Sequence, residues 1–349
     1  PLYSSAASDV YKRQVYNYFP MKKLTRNFPK TRARRLRKNL AIRNLVAETN
    51  LDISKLIQPL FVSDSIKDTE EIISMPGQYR FSKEMLKFEI EQLLKLGLST
   101  VALFPHLQKV KKNNEGSEAI NPDNFLCNVI KDVKIEFPEL VVIADIALDP
   151  YTSSGHDGIL KGGYIDNDLT LDALSEMSIN LADVGTDILA PSDMMDGRIG
   201  VIRDRLEEKE YKDVILISYA VKYASNYYGP FRDAVGSTND NGISKDSYQM
   251  DYRNIKEAHK EVQLDIEEGA DIVMVKPALS NLDIINSISK SYDVPVFSYQ
   301  VSGEYSMLKY GIDKKLFDSN VIPETLMSIF RAGSNSILTY FAKLMAENK

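Results

Sequence analysis

Asp271-Ile-Val-Met-Val-Lys-Pro-Ala278 is the stretch that decides the fold. Its apolar run, Ile272 into Lys276, lies between Gly269 and Pro277. A run this short and this apolar reads as a strand buried on both faces of a parallel sheet. Its last residue is a lysine, which is costly to bury unless it is paired or has chemical work to do. An amine whose charge is disfavoured by its surroundings can form a Schiff base with a ketone. Lys276 is therefore the first candidate catalytic residue, and the chain reads as built to present it, with a second lysine, to a carbonyl substrate.

Seven more apolar runs lie outward from this strand, at 56–62, 100–104, 141–145, 187–190, 214–218, 294–299 and 336–340. Helical patterns fall between them. Ser82 caps one with Leu86, Ile90, Leu93 and Leu94 on a face closed by Gly97. Leu126, Val129, Ile130 and Val133 mark a second, with Cys127 beside that face as a packing thiol. Two more are expected at 170–184 and 254–268, and a short lead-in begins at Leu45. Strands alternating with helices argue for parallel βα units, and eight of them fit a closed (β/α)8 TIM barrel. No glycine fingerprint for a dinucleotide follows the first strand, which weakens an open nucleotide-binding sheet. The segment 222–254, rich in Gly, Ser, Asn and Asp, is long enough to be an active-site lid.

With 44% hydrophobic and 26% charged residues, the 349-residue chain has the balance of a globular protein. No apolar run reaches the length of a membrane span, so no membrane partner is expected. A single cysteine, Cys127, excludes an internal disulfide and a multi-thiolate metal site; it fits a reducing, cytoplasmic setting. The net charge of −6 hides an asymmetry, because residues 1–40 carry eleven basic side chains against Asp9. Asp9-Val-Tyr-Lys-Arg-Gln14 back-translates to a sequencing adapter, so 1–20 is set aside as a non-native or disordered leader, with Met21 as the expected start. Residues 21–50 are then a basic N-terminal arm and 51–349 the barrel. Such an arm could bind nucleic acid. Without interleaved aromatics or a base-reading pattern, docking on the acidic body of a neighbouring subunit is the better reading, with no nucleic acid partner.

In a barrel, chemistry sits just beyond the strand C-termini. Asp145, Ser192, Asp196, Lys222, Lys276, Ser302 and Tyr340 all fall there. Lys222 is read as following the fifth strand, next to the strand of Lys276. Adjacent strands lie about 4.8 Å apart, so the two amines can meet. Two close ammonium groups disfavour each other and burial disfavours both, which leaves a nucleophilic amine.

The text around Lys222 is Ile217-Ser-Tyr-Ala-Val-Lys-Tyr-Ala-Ser-Asn-Tyr-Tyr-Gly-Pro-Phe-Arg-Asp-Ala234. With Ser247-Tyr-Gln-Met250, Met274-Val-Lys-Pro-Ala278 and Tyr299-Gln-Val-Ser-Gly-Glu-Tyr305, it resembles the porphobilinogen synthase (5-aminolevulinate dehydratase) family over about residues 32–347. The resemblance implies that two 5-aminolevulinate molecules condense to porphobilinogen with loss of two waters, a lyase reaction of tetrapyrrole biosynthesis. It implies that Lys276 holds the first substrate and Lys222 the second as Schiff bases. Ser302 and Tyr340 match groups that bind the first substrate's carboxylate; Arg232, Lys245 and Gln249 match those that bind the second's. Tyr219 and Ser192 join them as substrate-binding candidates. Lys245 stands where some members have arginine, so bidentate binding is lost there.

Zinc-dependent relatives place three cysteines in the segment Ala144-Asp-Ile-Ala-Leu-Asp-Pro-Tyr-Thr-Ser-Ser-Gly-His-Asp-Gly158, where this chain has Ala147, Asp149 and Asp157. Carboxylates in place of thiolates make a tight zinc site unexpected and leave Mg2+, K+ or no active-site metal, with Asp149 and Asp157 as a weak cation site. His156 reads as a solvent-facing or hydrogen-bonded imidazole. Asp145 and Asp196 are candidates for assisting proton transfer, although Asp196, followed by Gly197, also reads as a turn residue. The resemblance further implies an allosteric Mg2+ on Glu257 and an arm contact through Arg37 to a neighbouring subunit in a homo-octamer. A class I aldolase-like barrel is the rival reading, but it needs only one lysine. A non-catalytic relative is disfavoured because every expected catalytic position is filled.

Overall fold

The computed structural model describes residues 28–237 and 243–348. The expected leader and the first residues of the basic arm, 21–27, lie outside the described residues. In chain order the strands are β1 (Leu56–Ser63), β2 (Thr69–Glu71), β3 (Tyr79–Phe81), β4 (Thr100–His106), β5 (Val141–Ile146), β6 (Ile159–Lys161), β7 (Tyr164–Asp166), β8 (Ile188–Pro191), β9 (Ile215–Lys222), β10 (Ile272–Lys276), β11 (Val296–Gln300) and β12 (Ser336–Thr339). The helices are α1 (Leu40–Leu45), α2 (Lys83–Lys95), α3 (Phe125–Glu136), α4 (Asn167–Asp183), α5 (Arg198–Glu208), α6 (Gly229–Val235), α7 (Ile255–Glu267), α8 (Leu282–Ser291), α9 (Ser302–Asp313), α10 (Val321–Ala332) and α11 (Ala342–Glu347).

The eight apolar runs become β1, β4, β5, β8, β9, β10, β11 and β12, paired in that order, and β12 closes the ring on β1 through Leu56 with Ile337 and Ile57 with Leu338. All eight neighbouring pairs are parallel. This is the (β/α)8 barrel expected from the alternation. Strand interiors such as Val101, Leu103, Val142, Met274 and Leu338 are buried, because a barrel strand faces the packed interior on one side and the helices on the other.

Local signals set the helix starts. The side chains of Ser82, Asn124 and Asp166 accept the backbone N–H groups of Met85, Cys127 and Leu169, satisfying donors that a helix start leaves unpaired. Cys127 is buried within α3, which suits a packing thiol.

Several elements depart from the sequence reading. β9 runs on to Lys222, so that lysine ends the strand rather than following it. The segment 222–254 is not featureless, since it holds 3-10 turns at Asn226–Tyr228 and Lys245–Ser247 and the helix α6. The lead-in at Leu45 is a helix end, not a start. Two antiparallel hairpins, β2–β3 and β6–β7, were not foreseen.

The described residues 28–48 belong to a unit of their own. Its described part is a 3-10 turn, Ala33–Arg37, followed by α1, which Asn39 caps by accepting the Ile42 N–H. Neither element buries a residue within the chain, and Leu36, Leu40 and Leu45 are exposed. Among the described residues, no helix is long and apolar enough to cross a membrane.

Candidate active site

Lys222 and Lys276 are register partners at the C-terminal ends of β9 and β10. Both side chains are buried. The two lysines meet different surroundings. The Lys276 ammonium lies over four aromatic rings, at 4.8 Å from Tyr299, 4.9 Å from Tyr228 and 5.2 Å from Tyr219 and Phe231. Burial and then the Lys222 charge pull its pKa from 10.5 down to about 7, against the opposing charges of Asp145, Asp157 and Asp149. A large share of Lys276 is therefore a neutral amine at neutral pH.

Lys222 instead donates to the Ser192 carbonyl and lies 3.7 Å from Asp157 Oδ1. Lys245 donates to the other oxygen of the same carboxylate at 3.1 Å, and Gln249 Nε2 approaches it at 3.4 Å. Burial, the largest influence on Asp157, pushes its carboxyl up. Lys222, Lys245 and the Tyr248 hydroxyl more than offset it, leaving Asp157 below the usual carboxylate range. His156 is fully buried and shares a 3.0 Å hydrogen bond with the Tyr248 hydroxyl, so it is hydrogen-bonded and not solvent-facing.

Asp145 takes the opposite course. Burial and the nearby Asp149 raise it to about 7, against Lys276, Lys222 and a hydrogen bond with Ser192. A carboxyl that titrates near neutrality beside a neutral amine can give or take a proton at little cost. Asp149 is also raised, first by burial and then by Asp157.

The three lysines, Gln249 and the carboxyls of Asp145, Asp149 and Asp157 line one cavity together with Ser192, Tyr228, Phe231 and Arg232. Its free space is about 20 Å3, enough for roughly one water. Anything larger enters only when lining residues move aside. Arg232 Nε is buried and finds no hydrogen-bond partner among the described residues, so it is a free donor aimed into a closed site. On the Lys276 side, the Tyr340 and Tyr299 hydroxyls are hydrogen-bonded at 2.9 Å. Ser302 Oγ accepts the Phe231 N–H at 2.9 Å and donates to the Tyr227 carbonyl.

Three expected positions require correction. Asp196 is exposed, with its backbone bonded to Asn167, and it does not line the cavity. The inward carboxyl of that turn is Asp193, fully buried, which burial raises to about 6 against the charge of Arg198. Asp149 and Asp157 do not suit a weak cation site, because both Asp157 oxygens already face ammonium groups and the charges of Lys245, Lys222 and Lys112 already act on Asp149. Among the described residues, no group of three or more His, Cys, Asp or Glu side chains is placed to hold a metal ion. Glu257 stands half-buried in the first turn of α7 and accepts from Asn254. Arg37 is exposed in the N-terminal unit.

Sequence reasoning assigned no role to Tyr228, Phe231 or Tyr299, although all three lie in the quoted motifs. The signal was available, since aromatics there flank the strand ends that carry the lysines. It also missed Arg198, buried between Asp193 at 3.8 Å and Asp265 at 3.2 Å and donating to Ser218 Oγ at the base of β9. No local pattern marks that network, because its members are far apart in the chain.

A family model described as Delta-aminolevulinic acid dehydratase matches residues 30–348. A relative of that name from Methanothermus sociabilis is 49% identical over 320 residues, covering 92% of this chain and 99% of its own. One from Bradyrhizobium diazoefficiens is 45% identical over 317 residues, covering 90% of each chain. Among solved structures, delta-aminolevulinic acid dehydratase (porphobilinogen synthase) from Toxoplasma gondii, in complex with the reaction product porphobilinogen, superposes with a TM-score of 0.89 at 43% identity over 91% of each chain.

Proposed function

The chain belongs to the delta-aminolevulinic acid dehydratase family of lyases, and from that premise we propose that it condenses two molecules of 5-aminolevulinate to porphobilinogen through Schiff bases on Lys276 and Lys222. The observation that carries this reading is the register-paired lysines, one of them titrating near 7 in an aromatic and carboxyl pocket.

In this reading the Lys276 amine attacks the ketone of the first substrate, and Ser302 and Tyr340 receive its carboxylate. Attack by the amine and loss of water need a proton delivered and a proton removed. Asp145, raised to about 7, exchanges both near neutral pH. Lys222 binds the second ketone, and Arg232, with Lys245 and Gln249, receives the second carboxylate; Arg232 has a donor to spare. The four rings around Lys276 exclude water from the imine.

A hydrated Mg2+ needs only one or two carboxylates and keeps most of its waters. The acidic face of α7 supports one at Glu257, the position the family resemblance implies, with Glu261 one turn further on. Glu261 is half-buried, and its carboxyl is raised first by burial and then by Asp265, with Asp196 and Glu257 adding to the negative field. The ion would act there on assembly and not on the reaction. The exposed Leu36, Leu40 and Leu45 of the N-terminal unit support assembly into a homo-oligomer, an octamer, in the cytoplasm.

The test is porphobilinogen formation from 5-aminolevulinate by chelator-stripped protein, with Mg2+ and Zn2+ added separately, beside Lys276→Ala. Product from the wild type and none from the variant supports the reading. A variant at the wild-type rate overturns the lysine mechanism, and activity that depends on zinc overturns the cation argument.

A further inference from the structure

The helix α6 carries two side chains that face the lysine pair, Phe231 and Arg232, yet it is only seven residues long. A helix this short has no stability of its own, so its position depends on what grips it. At its N-terminal end the grip is Ser302, through the Phe231 N–H and the Tyr227 carbonyl. At its C-terminal end the Gly236 N–H bonds the Arg232 and Asp233 carbonyls, those of Ala234 and Gly236 are left to side-chain donors, and the helix dipole makes that end negative.

Two cations from the opposite side of the barrel meet those carbonyls. Arg80, on the β3 strand, donates Nε to the Ala234 carbonyl at 2.8 Å and Nη2 to the Asp233 carbonyl at 2.5 Å. Lys112 donates to the Gly236 carbonyl at 2.9 Å. Arg80 is almost completely buried and is oriented in turn by Glu70. Ser74 donates to the Asp233 carboxylate. Gly236 has φ +64°, and a Cβ there would meet the His106 ring at 3.2 Å, so the backbone is pressed against the imidazole. Burial, then Arg80 and Lys112, hold His106 down to about 4, so it adds no third positive charge at neutral pH. The charge of Asp149 acts on Lys112, which ties this grip to the cavity.

None of these groups touches Lys222 or Lys276, and no role in the reaction has been given to them above. We propose that Arg80 and Lys112 are positioning residues, a clasp on the C-terminal carbonyls of α6 that sets Arg232 and Phe231 for capture of the second substrate molecule, a proposal that rests on the two-substrate reading. Opening the cavity then means releasing this end of α6, while the Lys276 side stays built.

The experiment compares Arg80→Gln, Arg80→Lys and Lys112→Met with the wild type. It reads amide hydrogen exchange over residues 229–237, kcat and KM for 5-aminolevulinate, and borohydride trapping of the first substrate on Lys276. Losing charge-assisted bonds to two carbonyls should speed exchange in α6 by about tenfold and raise KM by about tenfold, with trapping on Lys276 within about twofold of wild type. Arg80→Lys should recover part of the loss, because one ammonium cannot span both carbonyls as a guanidinium does. Unchanged exchange and KM in both Arg80→Gln and Lys112→Met would overturn the clasp. If Arg80→Gln does not fold, Lys112→Met decides by the same two readouts. A wild type that makes no porphobilinogen overturns the two-substrate reading. Exchange then stands alone, and no rise in either variant overturns the clasp.

Discussion

Replacing Lys222 by methionine tests where the reactivity of Lys276 comes from. An ordinary lysine titrates at 10.5 and at pH 7 is an amine in about one molecule of three thousand. Lys276 titrates at about 7, first through burial and next through the Lys222 charge. Adjacent strands lie about 5 Å apart, and the charges of the two register partners are taken as about 5–6 Å apart from that spacing. At an effective dielectric of about 20, two unit charges at that distance repel by roughly 3 kcal/mol, about a hundredfold in a protonation equilibrium. Methionine removes this repulsion. It also takes away the cation 3.7 Å from Asp157, whose negative charge then favours the Lys276 ammonium more strongly. Both effects act in one direction. Lys276 in the variant should titrate between about 8 and 9, and its amine fraction at pH 7 should fall to between about one in ten and one in a hundred. The assay is the pH dependence of borohydride trapping of 5-aminolevulinate on Lys276, followed by peptide mass. Trapping should slow about 5- to 50-fold at pH 7 and recover by about pH 9.5. A midpoint still near 7 in Lys222→Met would refute the charge argument and leave burial as the sole cause.

Lys276→Met should stabilise the fold at neutral pH. Lys276 is depressed in the folded chain, so between about pH 7 and 10.5 the unfolded state holds more protons. Wild-type stability therefore rises with pH across that window, and the full penalty is present below it. The variant should gain up to roughly 4 kcal/mol at pH 7 and little at pH 10.5, read by denaturant unfolding; a variant less stable than wild type at pH 7 contradicts this. Asp145→Asn should cut kcat by about a hundredfold or more while Lys276 still traps substrate, since the amide cannot exchange a proton near pH 7; a kcat within twofold of wild type removes Asp145 from proton transfer. Gly303→Ala would drive a Cβ to 2.5 Å from the Tyr227 carbonyl, so it should destabilise the chain by about 1–3 kcal/mol and raise KM as the turn at 226–228 lifts from Ser302. An unchanged melting temperature and KM would mean that this close approach is not needed.

The barrel was legible because its strands are continuous apolar runs between turn residues, a pattern that buried parallel strands require. Where the pattern is mixed, the reading fell short. Ser218 and Tyr219 break the apolar run of β9, yet the strand continues because Ser218 Oγ is satisfied by Asp265 from α7 and by Arg198 from α5. Such partners are invisible to a local reading. The hairpin β6–β7 pairs Lys161 with Tyr164 around Gly162-Gly163, a two-residue turn signal that three-residue strands made easy to overlook. No sequence signal marked Asp193, which is the buried carboxyl of a turn where Met194 has φ 70° and Asp196 is exposed. The lysines and their carboxyl neighbours were legible because a charged side chain at the end of an apolar strand has few structural reasons to be there.

The two lysines start from equivalent places, at one level of neighbouring strands, and the loops above them make them different. The segment ending at Asp157 brings one firmly ionised carboxylate to the β9 side, where Lys222 and Lys245 share it. Lys222 also meets a carbonyl oxygen at Ser192. Its charge is answered. On the β10 side the nearest surroundings are ring faces from β9, β11 and the turn and helix at 226–235. Ring faces attract a cation by about 2 kcal/mol at most sites of this kind, less than a desolvated ammonium loses. The charge of Lys276 is therefore the one given up, and Asp145, with which it interacts, is the carboxyl that keeps a proton. The arrangement has an internal consequence. If the second substrate's carboxylate draws Lys245 away from Asp157, that carboxylate turns its full charge on Lys222, and the ammonium opposite Lys276 is better neutralised. In the proposed mechanism Lys276 would then regain affinity for a proton, the form its imine needs. Site occupancy on one side thus adjusts the acidity on the other with no movement of either strand.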